Sequence, residues 1–216
     1  MQTSILDGDR LSGLPQWGGP RGGAGWLALL AMALKNGGQN AAALRTLAPK
    51  AGDYVLEVGC GPGMALRRAA KLVGREGFVA GVDHSPSAAH FAAHAIHRAL
   101  LRGRGAVLCA PADDLPFRDF YFDRAFAVNS FAFWLNPARA LIEIARVLKP
   151  GGRLVLTQRG SSLDRPTNFA GAAGGMERIA HAAAALKAGG WTILDERCDK
   201  DGARLVALSI LAVRPA

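Results

Sequence analysis

The sequence predicts an α/β fold in which a mostly parallel, doubly wound sheet carries helices on both faces and ends in an antiparallel hairpin. Between residues 54 and 157, short apolar segments alternate strictly with helical ones, which is typical of parallel βαβ units. The last two predicted strands, Trp191–Arg197 and Arg204–Val213, are joined only by Cys198–Ala203, a link too short for a crossover helix. With 216 residues, of which 50% are hydrophobic, the chain has the size and apolar content of one domain.

The first 38 residues differ in composition from the rest and predict a separate N-terminal segment. Residues 1–23 are rich in glycine and proline and predict coil, whereas Trp26–Lys35 predicts a short apolar helix that ends at the two glycines after Asn36. We interpret this helix as a lid over a ligand site, with a permanently packed helix as the alternative. Residues 39–216 then form the main domain, which begins with a helix over Gln39–Ala48.

The predicted strands and helices alternate through the main domain. Ser85 and Asn136 each stand directly before a proline, an arrangement that predicts a helix N-cap. Strands before the terminal hairpin are predicted over Tyr54–Val58, Phe78–Val82, Ala106–Cys109, Ala125–Val128 and Arg153–Thr157. Helices are predicted over Met64–Val73, Pro86–Leu101, residues 136–148 and Met176–Ala188.

Cysteine usage and hydropathy restrict the class of protein. Three cysteines at wide spacing form neither a disulfide framework nor a zinc motif, so we expect a reducing, cytoplasmic location. The apolar run Ala24–Leu34 is far short of the roughly 20 residues that a membrane span needs. We therefore expect no membrane span.

The formal net charge of +9 raises the question of a nucleic-acid partner. Aromatic side chains that would stack on bases are not interleaved with the basic residues, so we expect no specific nucleic-acid binding. The basic groups considered are Arg67, Arg68, Lys71 and Arg75, and further along Arg98, Arg102 and Arg104.

A glycine-rich loop follows the first predicted strand and leads directly into a helix. It comprises Gly59-Cys60-Gly61-Pro62-Gly63, preceded by Glu57-Val58. Ligands of parallel sheets bind at the carboxyl ends of the strands, where glycines allow close approach of the backbone. A dinucleotide fingerprint would need a third glycine at position 64, which is Met64, and the Gly-Lys-Ser/Thr of an ATP-binding loop is absent.

An acidic residue, Asp83, ends the second predicted strand about 20 residues beyond the glycine loop. This spacing favours a carboxylate that accepts hydrogen bonds from both hydroxyls of a ribose. The alternative is an acid that only stabilises the next helix, but Ser85 already fills the cap position. The sequence therefore predicts a nucleoside-containing ligand that is neither NAD nor ATP.

Five ordered motifs resemble those of class I S-adenosylmethionine-dependent methyltransferases, and the small-molecule group that includes the quinone-biosynthesis enzymes is the nearest in appearance. The resemblance implies a seven-stranded Rossmann-like sheet with an antiparallel last strand, S-adenosylmethionine as cofactor and S-adenosylhomocysteine as product. The motifs are Val55-Leu56-Glu57-Val58-Gly59-Cys60-Gly61-Pro62-Gly63, Gly81-Val82-Asp83, Leu115-Pro116-Phe117, residues 122–129 and Ala145-Arg146-Val147-Leu148-Lys149-Pro150-Gly151-Gly152-Arg153-Leu154.

The resemblance also implies a role for individual residues in binding the cofactor. The glycine loop would lie against the methionyl part, with Glu57 on its ammonium side, and Asp83 would take the ribose hydroxyls. The full cofactor set is Glu57, Gly59, Cys60, Gly61, Gly63, Asp83, His84 beside the adenosine, Ala112 and Asp113 at the adenine edge, and Asn129 near the methyl donor.

One position departs from the pattern of the family. Four residues before the Leu of Leu-Pro-Phe, these methyltransferases usually carry an acid that accepts from the adenine amino group, and here that residue is Pro111. Asp113 substitutes for it, or the adenine relies on backbone contacts. The alternative for Asp113 and Asp114 is a solvated turn.

The segment after the fourth predicted strand indicates the class of molecule that accepts the methyl group. An Asn/Asp-Pro-Pro-aromatic segment there would indicate methylation of nucleobase or protein amides, but the chain has Asn129-Ser130-Phe131-Ala132-Phe133-Trp134. We expect a small, apolar or aromatic acceptor, although aromatic residues here could equally pack a helix. No catalytic base is assigned. The predicted acceptor and lid residues are Trp17, Trp26, Phe131 and Trp134.

Three histidines, His90, His94 and His97, are spaced like metal ligands on one predicted helix. No carboxylate or cysteine completes the set, so we expect them to flank the apolar face of the helix toward solvent, and we predict no metal. That apolar face comprises Ala89, Ala93, Ile96 and Leu100.

Two functions from different classes remain. The first is methyl transfer to a small molecule. The second is a protein of the same fold that lacks this activity, either a binding scaffold or an RNA-directed module, because a fold does not fix a function. The glycine loop with Asp83 favours the first, and Pro111 favours the second. An oligomer is compatible with either.

Overall fold

A computed structural model of the chain describes residues 36–159, 175–201 and 204–215. The predicted lid helix Trp26–Lys35 lies outside these residues. The helices are α1 (Gly37–Leu47), α2 (Met64–Val73), α3 (Pro86–Ala95), α4 (His97–Leu100), α5 (Pro137–Val147) and α6 (Gly175–Ala188), with a 3₁₀ turn at Phe131–Phe133. The strands are β1 (Tyr54–Val58), β2 (Phe78–Asp83), β3 (Gly105–Cys109), β4 (Phe122–Val128), β5 (Leu148–Arg159), β6 (Thr192–Asp201) and β7 (Arg204–Val213).

The seven strands form one sheet in the order β3-β2-β1-β4-β5-β7-β6. The first five strands pair in parallel, whereas β7 is antiparallel to both β5 and β6. The predicted fold class, a mostly parallel seven-stranded sheet with an antiparallel last strand, is confirmed. Strand order reverses between β1 and β4, and such a switch point is where open α/β sheets bind ligands at the carboxyl ends of their strands.

Each face of the sheet is covered by its own hydrophobic cluster. Successive strand residues point to opposite faces, so that Val55 of β1 belongs to one cluster and Leu56 to the other. Every residue of β2 is buried, as expected for a central parallel strand covered on both sides. The carboxyl ends of these buried strands form a rigid edge.

Both predicted N-caps are present and fix the helices that flank this edge. The Ser85 hydroxyl accepts from Ala88 N at 3.3 Å, with Pro86 in the first turn of α3. The Asn136 side-chain oxygen accepts from Arg139 N at 3.0 Å at the start of α5. Because each cap satisfies a backbone donor that would otherwise lack a partner, the helix starts are defined by sequence.

The prediction of one helix over Pro86–Leu101 is wrong. The backbone leaves the helical region at Ile96, with φ −112° and ψ 19°, and α4 begins anew at His97. Burial of Ile96 (3% exposed) against the sheet accompanies this break. The predicted apolar face also changes, because Ala93 is only partly buried. The fully buried positions of α3 are Ala88, Ala89 and Ala92.

Several element boundaries also differ from the prediction. Strand β4 begins three residues earlier, at Phe122, and β5 begins at Leu148, directly where α5 ends. Strand β6 continues to Asp201, so that Cys198 lies within the hairpin rather than in its link. Pairing with β7 explains this extension, because it supplies partners for the backbone well beyond the apolar stretch.

In the described part of the chain, no helix is both long and apolar enough to cross a membrane.

Candidate active site

The glycine loop, residues 59–63, is hydrogen-bonded to the end of β2. The backbone N–H groups of Gly59 and Cys60 both donate to the Val82 carbonyl, at 2.8 and 2.9 Å. Gly59, Gly61 and Gly63 all have positive φ, at 77°, 51° and 75°. A side chain is strained in that region, so the loop conformation itself favours glycine.

The three glycines of the loop differ in how closely other atoms surround them. A Cβ at Gly59 would lie 2.4 Å from the Ser130 Cβ, and one at Gly63 would lie 2.6 Å from the Ala92 Cα. A Cβ at Gly61 would meet no atom of the described residues within 4 Å. Gly59 and Gly63 therefore allow close packing within the protein, whereas Gly61 faces open space at the strand ends.

Asp83 joins the glycine loop to the start of α3. Its Oδ2 accepts from Gly61 N at 2.8 Å, and its Oδ1 accepts from Ser85 N at 2.9 Å. The residue is buried, at 7% exposed, although it lies at the sheet edge. Each carboxylate oxygen keeps a further lone pair, because one oxygen can accept two hydrogen bonds.

His84 and Cys109 lie beside Asp83. The His84 side chain is 63% exposed, and its Nδ1 lies 3.7 Å from Asp83 Oδ1. The backbone oxygen of His84 accepts a weak bond from Cys109 Sγ at 3.6 Å. Burial raises the pKa of the Cys109 thiol, and the nearby Asp83 adds to the effect. Cys109 is therefore held as a thiol next to an exposed imidazole.

Glu57 is a buried carboxyl group beneath the glycine loop. Burial raises its pKa well above the ordinary glutamate value; a hydrogen bond from the Leu66 backbone lowers the pKa in part, and the negative charge of Asp83 raises it further. Its Oε2 is buried without a hydrogen-bond partner among the described residues. Such an orphaned acceptor is costly unless a ligand or water supplies a donor.

Cys60, in the middle of the glycine loop, is not a nucleophile in this setting. Its pKa is raised well above the ordinary cysteine value, chiefly by burial and also by the charges of Glu57 and Asp83. The thiolate, not the thiol, is the reactive form, so this side chain acts as a small packing group.

The loop between β3 and β4, residues 110–121 (the β3–β4 loop), carries the predicted adenine edge. Ala112 and Asp113 are both partly buried there, and Pro111 supplies neither an N–H nor a carboxylate. Side chains of α5 hold this loop, and sequence reasoning missed them. Arg139, Glu143 and Arg146 recur at helical spacing, which is the signal that could have drawn attention to them.

The segment after β4 contains both buried and exposed side chains. Asn129 has a φ of 55°, its N–H donates to the Thr157 carbonyl at 2.8 Å, and its Oδ1 accepts from Arg159 N at 2.7 Å. It thereby ties the end of β4 to β5. Phe131 is buried in the core at 4% exposed, whereas Phe133 is 63% exposed. Phe131 therefore belongs to the core rather than to an exposed rim.

Trp134 and His181 flank the buried Phe131. The Phe131 and Trp134 rings are 5.2 Å apart between centroids, and the Phe131 and His181 rings are 5.9 Å apart. His181 lies on α6, so these contacts connect that helix to the strand ends. Trp134 is partly buried and remains at the margin of the site.

Residues 56–156 match a family described as a methyltransferase domain. The matched range begins within β1, ends within β5 and includes the glycine loop, Asp83 and the β3–β4 loop. It does not include the terminal hairpin of β6 and β7.

Relatives and a solved structure are similar to the same part of the chain. O-methyltransferase cnsE of Penicillium expansum is 36% identical over 110 residues, which are 51% of this chain and 39% of the relative. Ubiquinone/menaquinone biosynthesis C-methyltransferase UbiE of Chromobacterium violaceum is 36% identical over 118 residues, 53% of this chain and 46% of the relative. The chain thus spans less than half the length of these two relatives.

The chain also shares its fold with a solved structure, a SAM dependent methyltransferase from Aquifex aeolicus. It superposes with a TM-score of 0.72 at 20% sequence identity, over 87% of this chain and 97% of that one. At this level of identity the likeness establishes the architecture.

The three histidines of α3 and α4 lie on the protein surface. His90, His94 and His97 are all exposed, as expected, and the Nε2 atoms of His90 and His94 lie 3.1 Å apart. Among the residues that the structure describes, no three histidine, cysteine or acidic side chains are grouped as a metal site. Two further predicted residues, Trp17 and Trp26, lie outside the described ranges.

Proposed function

We propose that this chain is an S-adenosylmethionine-dependent methyltransferase whose acceptor is a small apolar or aromatic molecule. The observation that carries the proposal is the joined pair of Gly61 and Asp83 at the switch point of the sheet. Open space beside Gly61 lies next to a carboxylate that still has lone pairs for two hydroxyls. The match of residues 56–156 to methyltransferase domains supports the same proposal.

The residues present fit S-adenosylmethionine. The cofactor carries an ammonium donor at its methionyl end, and the orphaned Oε2 of Glu57 is an acceptor beneath the loop where that end would lie. A Cβ at Gly61 would occupy the space that the methionyl chain needs. When bound, the cofactor supplies a methyl group that is already activated on a sulfonium.

The chain would then hold the cofactor through the two strand ends and the β3–β4 loop. Asp83 accepts from the ribose hydroxyls, and the exposed His84 lies beside the adenosine. Asn129, fixed between β4 and β5, faces the methyl-donor region. The proposed cofactor set is Glu57, Gly59, Cys60, Gly61, Gly63, Asp83, His84, Ala112, Asp113 and Asn129.

The acceptor would be bound in the region where the aromatic residues after β4 meet α6. Trp134 lies at the margin of this region, and Phe131 supports it from the core. One relative is named as an O-methyltransferase, another as a C-methyltransferase and a third, from Arabidopsis thaliana, as a 2-phytyl-1,4-beta-naphthoquinone methyltransferase. These names support a small acceptor. For such an acceptor the protein mainly supplies positioning and exclusion of water, because the donor is already activated.

A calorimetric titration with S-adenosylhomocysteine tests the cofactor, and transfer of tritium from the labelled cofactor tests the acceptor. We expect binding to the nucleoside, transfer to members of a panel of quinols and phenols, and no transfer to RNA. Absence of nucleoside binding would refute the proposed cofactor. Transfer to bulk RNA at a rate equal to that on the best small molecule would refute the proposed acceptor class.

A further inference from the structure

Three polar residues of α5 form a row that faces the β3–β4 loop. Arg139, Glu143 and Arg146 are separated by four and three positions, so they lie on one face of the helix. We call these three residues the α5 row. The adjacent face of α5, which includes Leu141 and Ile144, is buried in the core. The helix is thus fixed to the sheet by one face while the α5 row meets the loop.

The side chains of the α5 row bind main-chain atoms of the β3–β4 loop. The Glu143 Oε2 accepts from Leu115 N at 2.9 Å, and the Arg139 Nε donates to the Asp113 carbonyl at 3.0 Å. Arg146 donates to the Leu115 carbonyl at 2.8 Å, to the Phe117 carbonyl at 2.7 Å and to Asp119 Oδ1 at 2.7 Å.

The ion pair between Glu143 and Arg146 is largely buried and therefore depends on further hydrogen bonds. The side chains of Glu143 and Arg146 are only 9% and 18% exposed, and Arg146 bonds both carboxylate oxygens of Glu143 at 2.9 and 2.8 Å. A buried ion pair is unfavourable unless further hydrogen bonds satisfy its remaining donors and acceptors. Here the loop backbone supplies those bonds, so the pair and the loop conformation depend on each other.

Arg139 contacts the β3–β4 loop close to Pro111, the position where the usual acceptor for the adenine amino group is missing. Pro111 cannot accept from the adenine amino group through its side chain, and the acids nearest to it are Asp113 and Asp114. Of these two, Asp113 is the one whose carbonyl Arg139 binds. The Arg139 bond uses the main-chain oxygen of Asp113, so both carboxylate oxygens keep their capacity to accept. A fixed carbonyl restricts the backbone of Asp113 and hence the direction of its side chain.

From these contacts we infer that the α5 row is a positioning device for adenine recognition, which sets Asp113 to accept from the 6-amino group. The inference rests on the proposed function, because it requires S-adenosylmethionine as the ligand. Arg139, Glu143 and Arg146 do not themselves touch the cofactor. They act through the loop, and the specificity that they confer is for adenine over a base that presents a carbonyl at that position.

The test compares S-adenosylhomocysteine with S-inosylhomocysteine, in which a carbonyl replaces the 6-amino group and the neighbouring N1 carries a hydrogen. The wild-type chain is expected to prefer the adenine compound by about tenfold or more, because an acceptor placed for the 6-amino group disfavours a ligand that presents a carbonyl there. In Arg139→Ala the preference is expected to fall about three- to tenfold, and Arg146→Lys should act in the same direction. Arg139 is exposed, so its removal leaves the fold intact. Arg153→Ala, at an exposed arginine on β5, is the matched control.

Hydrogen exchange of the amides of residues 113–119 provides a second readout that needs no ligand. These amides are expected to exchange faster in Arg139→Ala and Arg146→Lys than in the wild type or the Arg153→Ala control. Equal weakening of both nucleosides, with their ratio unchanged, would overturn the adenine role. Unchanged exchange would overturn the fixation of the loop. A wild-type chain that binds neither nucleoside would refute the proposed function, and the adenine role with it.

Discussion

Replacing Asp83 by alanine should lower both the free energy of unfolding and the affinity for the cofactor. The two effects can be estimated separately, because the carboxylate binds two backbone N–H groups and is also proposed to bind the ribose. The carboxylate accepts two backbone N–H groups, from Gly61 and Ser85, at 2.8 and 2.9 Å. Hydrogen bonds to a charged group contribute about 1.5–3 kcal/mol each, and water can reach this edge in the variant. Two such bonds together contribute about 3–6 kcal/mol. We expect the free energy of unfolding to fall by about 3 kcal/mol, the lower end of this total, because water replaces part of the lost bonding.

Cofactor affinity should fall further than the loss of stability alone explains. Two charge-assisted bonds to the ribose hydroxyls would be lost, at about 2–4 kcal/mol together, or about 30- to 1000-fold in the dissociation constant. Asp83→Asn is a graded variant, since its one carbonyl oxygen can serve either Gly61 or Ser85 but not both as an acceptor. Asp195→Ala, at an acid on the edge strand β6, is the control.

Denaturant unfolding measures the first effect, and titration with S-adenosylhomocysteine at a temperature where every variant is folded measures the second. The expected order of affinity is wild type and Asp195→Ala, then Asp83→Asn, then Asp83→Ala. An Asp83→Ala protein that is destabilised but binds the nucleoside as tightly as the wild type would refute the ribose assignment. The carboxylate would then serve only to join the glycine loop to α3.

Three further predictions concern the glycine loop and Glu57. Gly59→Ala should lower the free energy of unfolding by more than about 2 kcal/mol in denaturant unfolding, because strain at positive φ adds to the contact with Ser130, and Ser130→Gly should restore part of the loss. Gly61→Ala should cost only about 1 kcal/mol in the same assay but weaken nucleoside binding more than about tenfold by titration, because its Cβ enters the open space. The pKa of Glu57 is higher in the folded than in the unfolded state. Its contribution to the free energy of unfolding is therefore fully present at a pH below the unfolded-state pKa, and it is lost as the pH rises toward the folded-state pKa. Unfolding measured between about pH 4 and 8 should therefore show a decline in the wild type that Glu57→Gln reduces; equal slopes would contradict the pKa shift.

The parts of the fold that the sequence predicted are those specified by neighbouring residues. Alternation of strand and helix, the caps at Ser85 and Asn136 and the hairpin of β6 and β7 all follow from patterns within about a dozen residues. The glycine loop and Asp83 could be located for the same reason, since each directly follows a strand. Their pairing through Gly61 follows from the parallel register of β1 and β2.

The parts that could not be predicted depend on residues far apart in the chain. Whether a glycine is needed for packing or for a ligand depends on Ser130 opposite Gly59 and on Ala92 opposite Gly63. Glu143 would be expected to face solvent on a surface helix, but it is buried because Arg146 and the β3–β4 loop supply its partners. Phe131 could equally have been a surface aromatic, and its burial depends on core residues that are distant in the chain, among them His181 of α6.

The position of β7 has a consequence for biosynthesis. This strand is translated after the other six, yet it lies between β5 and β6 and is buried along Ala207–Ala212. Until residues 204–213 leave the ribosome, the edge of β5 therefore has unpaired backbone groups beside the apolar residues Leu154, Val155 and Leu156. An open apolar strand edge is a template for pairing with other chains. A nonsense mutation that removes this strand should thus produce aggregation of the nascent protein rather than a folded protein with reduced stability.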